Sequence, residues 1–205
     1  MSEVRTETAP PRGLQRPGVA LRRPVRVRRI HSRCVEQGMI LIYTGSGKGK
    51  TSACVGQAMR AIGQGLRVAF VQFMKKEGMA GEQLVLYQLL GEKFCAGGRG
   101  FLRVEEDRPQ HREAALNTLH WAFDVLPHVD MLVLDESLYA LGAGILLPEE
   151  LRELAARARR CNMHLVLSGR GLPEWLEAEA DLITVMEEHK HPWQQGHSAM
   201  RGIEF

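Results

Sequence analysis

A loop of glycines, lysines and hydroxyl side chains is the part of this sequence best suited to chemistry. It reads G-S-G-K-G-K-T over residues 45–51 and follows the short apolar run 39–43. Glycines let backbone N–H groups turn toward an anion, and the N-terminus of a following helix adds partial positive charge. Lys50 can then reach phosphate oxygens, and the Thr51 hydroxyl can ligate a Mg²⁺ ion that bridges them. The segment therefore predicts a nucleotide phosphate loop.

This loop departs from the usual pattern in two ways. The pattern G-x-x-x-x-G-K-[ST] would place a glycine where Thr44 stands, so the loop counted from Gly45 is one residue short. It also contains Lys48 in addition to Lys50. Two interpretations of Lys48 stay open at this point, a second phosphate contact or a solvent-facing loop lysine.

Two acidic residues end another apolar run, M-L-V-L at 131–134. Asp135 is typical of the strand-end carboxylate that holds Mg²⁺ directly or through water. Glu136 is a metal ligand, a group that activates water as in ATP hydrolases, or a strand-end acid. Together with the loop, the pair predicts binding of a nucleoside triphosphate with Mg²⁺ or Mn²⁺ but leaves the reaction open.

Strands and helices alternate in the pattern of the remaining sequence. The apolar runs are nearly continuous, which is typical of a parallel sheet covered on both faces, an α/β fold. Ligands of such sheets bind beyond the carboxyl ends of the strands, which here bear the loop, the two acids and the turn S-G-R-G with Arg170. Strands are predicted near 39–43, 67–73, 94, 131–136, 164–171 and 182–187, and helices near 50–64, 81–90, 109–125, 148–160 and 173–180.

The charge is distributed unevenly along the chain. Residues 1–38 contain nine arginines against three acidic residues, although the whole chain has a net charge of only +3. Four of the nine prolines also lie there. We predict an extended or disordered basic arm over 1–38 and a single domain over 39–205. A solvated tail, a flap over a polyanionic ligand, a subunit contact and nonspecific attraction to nucleic acid are all compatible with this arm.

The composition also excludes several classes of protein. No run approaches the roughly 18 apolar residues of a membrane span, and the N-terminus lacks the apolar core of a secretory signal. The four cysteines are scattered without a C-x-x-C pair, so neither a zinc site nor a disulfide framework is predicted. We therefore expect a cytoplasmic protein with no membrane association.

Five segments in order resemble those of a known family: Y-T-G-S-G-K-G-K-T-S-A, F-V-Q-F, L-V-L-D-E-S, L-S-G-R-G and the C-terminal H-K-H-P-W-Q-Q-G-H-S-A-M-R-G-I-E-F. The series is similar to the P-loop ATP:corrinoid adenosyltransferases (cob(I)yrinic acid a,c-diamide adenosyltransferases), whose loop typically reads G-N-G-K-G-K-T. The resemblance covers about 39–205. It implies a RecA-like P-loop NTPase fold with a mostly parallel central sheet and helices on both faces. It further implies a homodimer that transfers the 5′-deoxyadenosyl group of ATP to the Co(I) centre of a reduced corrinoid, with release of inorganic triphosphate.

The resemblance also assigns roles to residues. It implies catalytic roles for Lys48, Lys50 and Glu136, and a metal site at Thr51, Asp135 and Glu136. The leaving triphosphate carries about four negative charges, which the additional lysine would help to stabilise. The implied substrate-binding residues are Gly45, Ser46, Gly47, Lys48, Gly49, Lys50, Thr51, Ser52, Arg170 and Phe101.

The corrinoid side departs from the family pattern. Phe101 in R-G-F-L-R matches the Phe of the family's T-G-F-T-W loop, but Arg103 stands at the position of the Trp. Either Phe101 acts with another aromatic residue, or this enzyme prefers a corrinoid without the lower base. The other large aromatic residues are expected to pack in the core, namely Trp121, Phe123, Trp175 and Trp193.

A second function class competes with adenosyl transfer. Glu136, the RecA-like order of elements and the basic arm are compatible with an ATP hydrolase coupled to nucleic acid or a protein partner. That class predicts orthophosphate as product, whereas adenosyl transfer predicts triphosphate and a light-sensitive cobalt–carbon bond. We favour adenosyl transfer, with a reductant protein such as a flavodoxin as a partner and no nucleic acid.

Overall fold

The computed structural model describes residues 37–204, which form alternating strands and helices. Short 3₁₀ turns connect several of these elements. The strands are β1 (Ile40–Thr44), β2 (Val68–Gln72), β3 (Phe94–Ala96), β4 (Met131–Asp135), β5 (His164–Ser168) and β6 (Leu182–Val185). The helices are α1 (Lys50–Gly63), α2 (Gly81–Leu90), α3 (Arg108–Val125), α4 (Ser137–Gly142), α5 (Pro148–Arg160) and α6 (Glu174–Glu179).

All six strands join one parallel sheet in the order β3-β2-β4-β5-β1-β6. Neighbouring residues of a strand point to opposite faces, so Ile40 and Ile42 belong to one core cluster and Leu41 to the other. Helices α1 and α2 pack on the face of Leu41, and α3 to α6 pack on the opposite face. The predicted α/β fold, a parallel sheet with helices on both faces, is confirmed.

Helix α1 connects the phosphate loop to the sheet through small side chains. Its buried apolar residues are Cys54, Ala58 and Ala61, which recur at the spacing of one helical face. Because these side chains are small, the helix lies close to the strands, and its first residue Lys50 is itself buried beside the end of β1. The N-terminus of α1 is thereby fixed at the carboxyl edge of the sheet.

Most predicted elements are confirmed, and the differences occur where the backbone turns sharply. The segment 164–171 was predicted as a strand ending in a turn; strand β5 ends at Ser168, and the turn contains Gly169 and Gly171 with positive φ angles of 137° and 82°. Strand β4 ends at Asp135, because Glu136 has a φ of 59°. Helix α4, which begins directly after Glu136, was not predicted.

The prediction that the large aromatic residues pack in the core is confirmed for three of the four. Trp121, Phe123 and Trp175 pack against the core as expected. The expectation that Trp193 packs was wrong, because it lies in the 3₁₀ turn Pro192–Gln195 outside the layers and is 77% exposed. Within residues 37–204, no helix is both long enough and apolar enough to cross a membrane. The predicted basic arm falls almost entirely on residues 1–36, outside the described part of the chain.

Candidate active site

The phosphate loop is clamped against the segment that follows β6. Gly45 and Gly49 have φ angles of 103° and 116°, which favour glycine. The Gly47 amide donates a hydrogen bond of 2.8 Å to the Met186 carbonyl. A side chain at Gly45 or Gly47 would collide with the backbone of Met186 and Glu187. The glycines therefore give this loop a close, fixed approach to the sheet edge.

Lys50 places a positive charge at the centre of this loop. Its Nζ donates hydrogen bonds of 3.0 Å to the Gly45 carbonyl and 2.6 Å to the Gly47 carbonyl. Burial lowers the pKa of Lys50, the neighbouring Arg170 lowers it further, and the carboxylates of Glu136 and Asp135 act in the opposite direction. The ammonium group is thus bound to neutral carbonyls that an anion can replace.

Asp135 is fully buried behind the loop and accepts several hydrogen bonds. The Ser168 hydroxyl lies 2.6 Å from its Oδ1, and the Gln72 amide donates to its Oδ2 over 3.0 Å. The Thr51 hydroxyl lies 3.1 Å from both carboxylate oxygens. A buried carboxylate needs such partners, and here they fix its orientation toward Thr51.

A cation that sequence reasoning missed lies beside this pair. Lys75 Nζ is 3.1 Å from Thr51 Oγ1, 3.5 Å from Asp135 Oδ2 and 2.7 Å from Glu82 Oε1. Burial lowers the pKa of Lys75, but the attraction of Asp135 and Glu82 outweighs burial and leaves this pKa raised. Burial raises the pKa of Glu82, but its hydrogen bond and attraction to Lys75 leave the net pKa lowered. The sequence signal was Gln72, a polar residue in an otherwise apolar strand, whose amide also donates to Glu82 over 3.2 Å.

Glu136 adopts an unusual backbone conformation at the mouth of the site. A φ of 59° is left-handed and rare for a residue other than glycine, and such strain clusters at functional sites. Its amide donates a 3.1 Å hydrogen bond to Ser168 Oγ, which links it to the Asp135 network. Burial and the neighbouring Asp135 raise the pKa of Glu136, while Lys50, Lys75 and Arg170 lower it.

These residues surround a cavity of about 860 Å³. Gly45 and Asp135 are not part of its lining, but the lining residues Thr51 and Lys75 both contact Asp135. The residues predicted from sequence that line it are Ser46, Gly47, Lys48, Gly49, Lys50, Thr51, Ser52, Phe101, Glu136 and Arg170. Residues that were not predicted but also line it include Lys75, Glu82, Tyr139, Glu188, His191, Ile203 and Glu204.

An aromatic pair forms another wall of the cavity. The rings of Phe101 and Tyr139 meet edge to face, with centroids 5.3 Å apart and planes at 76°. Arg103 is exposed and does not line the cavity. The second aromatic residue beside Phe101 is therefore Tyr139, which α4 carries one turn after Glu136.

The C-terminal segment lies against the exposed lysine of the loop. Lys48 Nζ donates a 2.6 Å hydrogen bond to the Ile203 carbonyl and lies 3.4 Å from Glu204 Oε1. A hydrogen bond from the Met200 amide is the main factor that lowers the pKa of Glu204, and Lys48 lowers this pKa further. Arg170 donates a 3.1 Å hydrogen bond to the Ser46 carbonyl. Lys48 of the loop and Arg170 of the turn after β5 thus both line the cavity while bound to oxygens of the protein.

The oxygen donors in and directly behind the cavity lining suit a hard metal ion. The Thr51 hydroxyl and the Asp135 and Glu136 carboxylates are oxygen ligands, which Mg²⁺ prefers. Among residues 37–204 there is no group of three or more His, Cys, Asp or Glu side chains that could hold a metal. Mg²⁺ is usually bound by one or two carboxylates together with waters and substrate phosphates.

The sequence of this chain is similar to those of a known protein family. The sequence model of the family described as "ATP:corrinoid adenosyltransferase BtuR/CobO/CobP" matches residues 36–205. The corrinoid adenosyltransferase of Pseudomonas aeruginosa is 36% identical over 177 residues, covering 83% of this chain and 85% of its own. The corrinoid adenosyltransferase CobA of Salmonella typhimurium is 33% identical over 172 residues, covering 83% and 87%.

The similar solved structures are more distant from this chain than these sequence relatives are. A KaiC-like protein of Pyrococcus horikoshii OT3 is 14% identical, covers 75% of both chains and gives a TM-score of 0.46. A similarity this low carries no argument about function. The fold assignment rests instead on the sheet order and on the loop between β1 and α1.

Proposed function

The chain belongs to the ATP:corrinoid adenosyltransferase family, and from that premise we propose how its cavity works. The 5′-deoxyadenosyl group of ATP passes to the Co(I) centre of a reduced corrinoid, and inorganic triphosphate leaves. The observation that carries this proposal is one cavity with two unlike walls. Lysines and a glycine loop form one wall, and the aromatic pair Phe101–Tyr139 forms the other.

The reaction needs no catalytic base. The electron pair of Co(I) attacks C5′ of the ribose and forms the cobalt–carbon bond, which takes cobalt formally from Co(I) to Co(III). The C5′–O bond breaks, and its electron pair leaves with the triphosphate. No proton moves in this step, so the protein's tasks are to orient the two substrates and to stabilise the charge that develops.

The loop would bind the triphosphate as one unit. Lys50 would exchange its hydrogen bonds to the Gly45 and Gly47 carbonyls for phosphate oxygens. Lys48 and Arg170 would exchange their present protein oxygens in the same way. Donors held in place before the reaction stabilise a leaving group without the cost of reorganising solvent. In this proposal the additional lysine serves a leaving group that is longer than a single phosphate.

Mg²⁺ or Mn²⁺, when bound, would supply Lewis-acid stabilisation of the triphosphate charge. Thr51, Asp135 and Glu136 are the residues that would hold it. Ser168 and Gln72 fix the carboxylate of Asp135 through hydrogen bonds of 2.6 and 3.0 Å, and would thereby keep it ready to bind the ion. Glu136, whose pKa burial raises, stays ionised more readily when positive charge lies close to it.

The aromatic wall would receive the corrinoid. Phe101 is 59% exposed, so its ring has free area for the flat macrocycle. Tyr139 supports that ring from the side. Aromatic packing of this kind excludes water from the cobalt face, which protects the reduced metal and favours loss of its lower ligand.

We also propose a homodimer in the cytoplasm, with Co(I) supplied by an external reductant such as a flavodoxin. The three described cysteines, Cys54, Cys95 and Cys161, are free thiols, which is compatible with a reducing compartment. An exposed apolar face on α2 supports association between subunits. Its residues are Leu84, Val85, Tyr87 and Leu89, each at least 50% exposed.

The deciding experiment is anaerobic incubation with MgATP and chemically reduced cobalamin. We expect the visible spectrum of a light-sensitive alkylcobalamin, with one triphosphate formed for each corrinoid alkylated. Conversion of ATP to ADP and orthophosphate without cobalamin alkylation would instead establish the ATP hydrolase and refute the proposal. Adding nucleic acid tests whether such hydrolysis is coupled to it.

A further inference from the structure

The ammonium group of Lys75 lies at a position suited to a metal ion. Its Nζ is in contact with three oxygens, Thr51 Oγ1 at 3.1 Å, Glu82 Oε1 at 2.7 Å and Asp135 Oδ2 at 3.5 Å. The first and third of these belong to residues proposed above to bind Mg²⁺. Lys75 also lines the cavity, so its side chain is open to a ligand from that side.

A metal ion and this ammonium group exclude each other at the present distances. Mg²⁺ bonds to oxygen at about 2.0–2.1 Å, so an ion held by Thr51 and Asp135 would stand within a few ångströms of Nζ. Two positive charges so close in a half-buried site repel strongly. Lys75 therefore has to move before both residues can bind the ion.

We propose that Lys75 occupies the metal position in the nucleotide-free protein and makes metal binding depend on the nucleotide. The proposal rests on the metal site of the proposed function. A metal ion alone must displace the ammonium group from Asp135 and then remain beside it. When triphosphate enters with the metal, its negative charge neutralises both cations, and Lys75 can follow the phosphate oxygens into the cavity.

Glu82, which is held by Gln72, keeps the ammonium group of Lys75 near the site during this exchange. Glu82 Oε1 accepts from Lys75 over 2.7 Å and from the Gln72 amide over 3.2 Å. Gln72 is fully buried, and its own carbonyl accepts a 2.8 Å hydrogen bond from Gln83. Because Gln72 is fixed in this way, Glu82 stays in place and keeps the ammonium group near the site after Asp135 is released.

The exchange also keeps a counter-ion beside the buried carboxylate of Asp135. This carboxylate is fully buried, and Lys75 is the ammonium group that the described residues place within ion-pair distance of it. A buried charge without a counter-ion is costly. Lys75 supplies the counter-ion before substrate arrives, and the metal takes over that task afterwards.

The test is binding of Mn²⁺ alone to the full-length, nucleotide-free protein, followed by the electron paramagnetic resonance signal of the free ion. We expect Lys75→Met to bind Mn²⁺ on the order of tenfold more tightly than wild type, since one repelling charge has gone. Lys75→Gln should behave alike, and it keeps a hydrogen-bond donor if the methionine variant folds poorly. Lys76→Met is the matched control, because Lys76 is the exposed neighbour, and it should bind Mn²⁺ as wild type does.

A second measurement locates the ion. Mn²⁺ should raise the melting temperature of Lys75→Gln more than that of wild type, and adding Asp135→Asn should remove both gains. Unchanged Mn²⁺ affinity in both Lys75 variants overturns the proposal, and so does a gain that survives Asp135→Asn. The wild-type transfer assay is independent of these results, so a protein that alkylates cobalamin but shows no gain would refute only this inference.

Discussion

The two walls of the cavity are built in opposite ways. At the phosphate wall, Asp135 is fully buried among hydrogen-bond donors, and Lys50 is buried and bound to two loop carbonyls. At the aromatic wall, Phe101 is 59% exposed and its ring contacts that of Tyr139. One wall is a connected polar network, and the other is an open apolar surface.

In the proposed function, the difference follows from what each wall would have to stabilise. Negative charge developing on triphosphate is stabilised best by donors that are already oriented, because orienting them during the reaction costs free energy. A flat macrocycle is bound through buried area, which is not directional. Rigidity is therefore concentrated at the phosphate wall, and changes there should have larger effects than changes at the aromatic wall.

The largest effect is expected for Lys50→Ala. Losing the central cation of the phosphate wall should lower kcat/KM for adenosyl transfer on the order of 10²-fold or more. Initial rates of alkylcobalamin formation measure this, with Lys76→Ala as the control for loss of a lysine. Turnover near the wild-type value in a folded Lys50→Ala protein would remove Lys50 from its assigned role.

Asp135→Asn should reduce stability as well as activity. An amide NH₂ would face the donors of Gln72 or Ser168, leaving buried polar groups unpaired at a cost of about 1–3 kcal/mol. Urea denaturation measures this loss in the free energy of unfolding. The Mg²⁺ concentration for half-maximal rate should rise in the same variant. A variant with unchanged stability and unchanged Mg²⁺ requirement would contradict the network described here.

Phe101→Ala tests the aromatic wall. An aromatic contact contributes about 0.5–1.5 kcal/mol in addition to the effect of its buried area. Removing the ring should therefore raise KM for the corrinoid about tenfold, while KM for ATP stays constant. Steady-state kinetics with each substrate varied in turn separate the two. Arg103→Trp is the comparison, since Arg103 is exposed outside the lining, and it should change the corrinoid KM less. A larger effect of Arg103→Trp would place the corrinoid elsewhere.

Glu204→Gln should have a small effect of the opposite sign. The glutamate pairs with Lys48 at 3.4 Å, and removing its charge leaves Lys48 freer to bind triphosphate. Because Lys48 is 41% exposed, we expect KM for ATP to fall by only about two- to threefold. Glu174→Gln on α6 is the control. A rise in KM would mean that Glu204 assists nucleotide binding.

The smallest effect concerns pH and Glu136. Its pKa is raised above the ordinary 4.5, mainly by burial, so the folded protein keeps this proton at pH values where the unfolded chain has lost it. Stability should therefore fall as pH rises from about 4.5 through the raised pKa. In Glu136→Gln this contribution is absent, so the variant should gain stability relative to wild type across that window. Parallel curves of unfolding free energy against pH would contradict the prediction.

The sequence by itself determined the sheet, the phosphate loop and the two acidic residues. Each is encoded locally, by continuous apolar runs, by glycine and lysine spacing, or by acids directly after a strand. The bounds of α2 and α5 were predicted to the residue for the same reason, since Pro148 and the early glutamates of α5 mark its start. Asp135 and Thr51, 84 residues apart, were paired because Asp135 ends one strand, the loop with Thr51 follows another, and the carboxyl ends of both strands share an edge.

Only the tertiary structure brought Lys75, Glu82, Tyr139 and Glu204 to the cavity. Lys75 lies in a polar loop beside an equally charged neighbour, and nothing in that spacing distinguishes it from Lys76. Lys48 meets Ile203 across 155 residues, a contact that no local pattern encodes. Periodicity specifies which face of an element is buried, but the partner of a polar side chain depends on how separate elements pack.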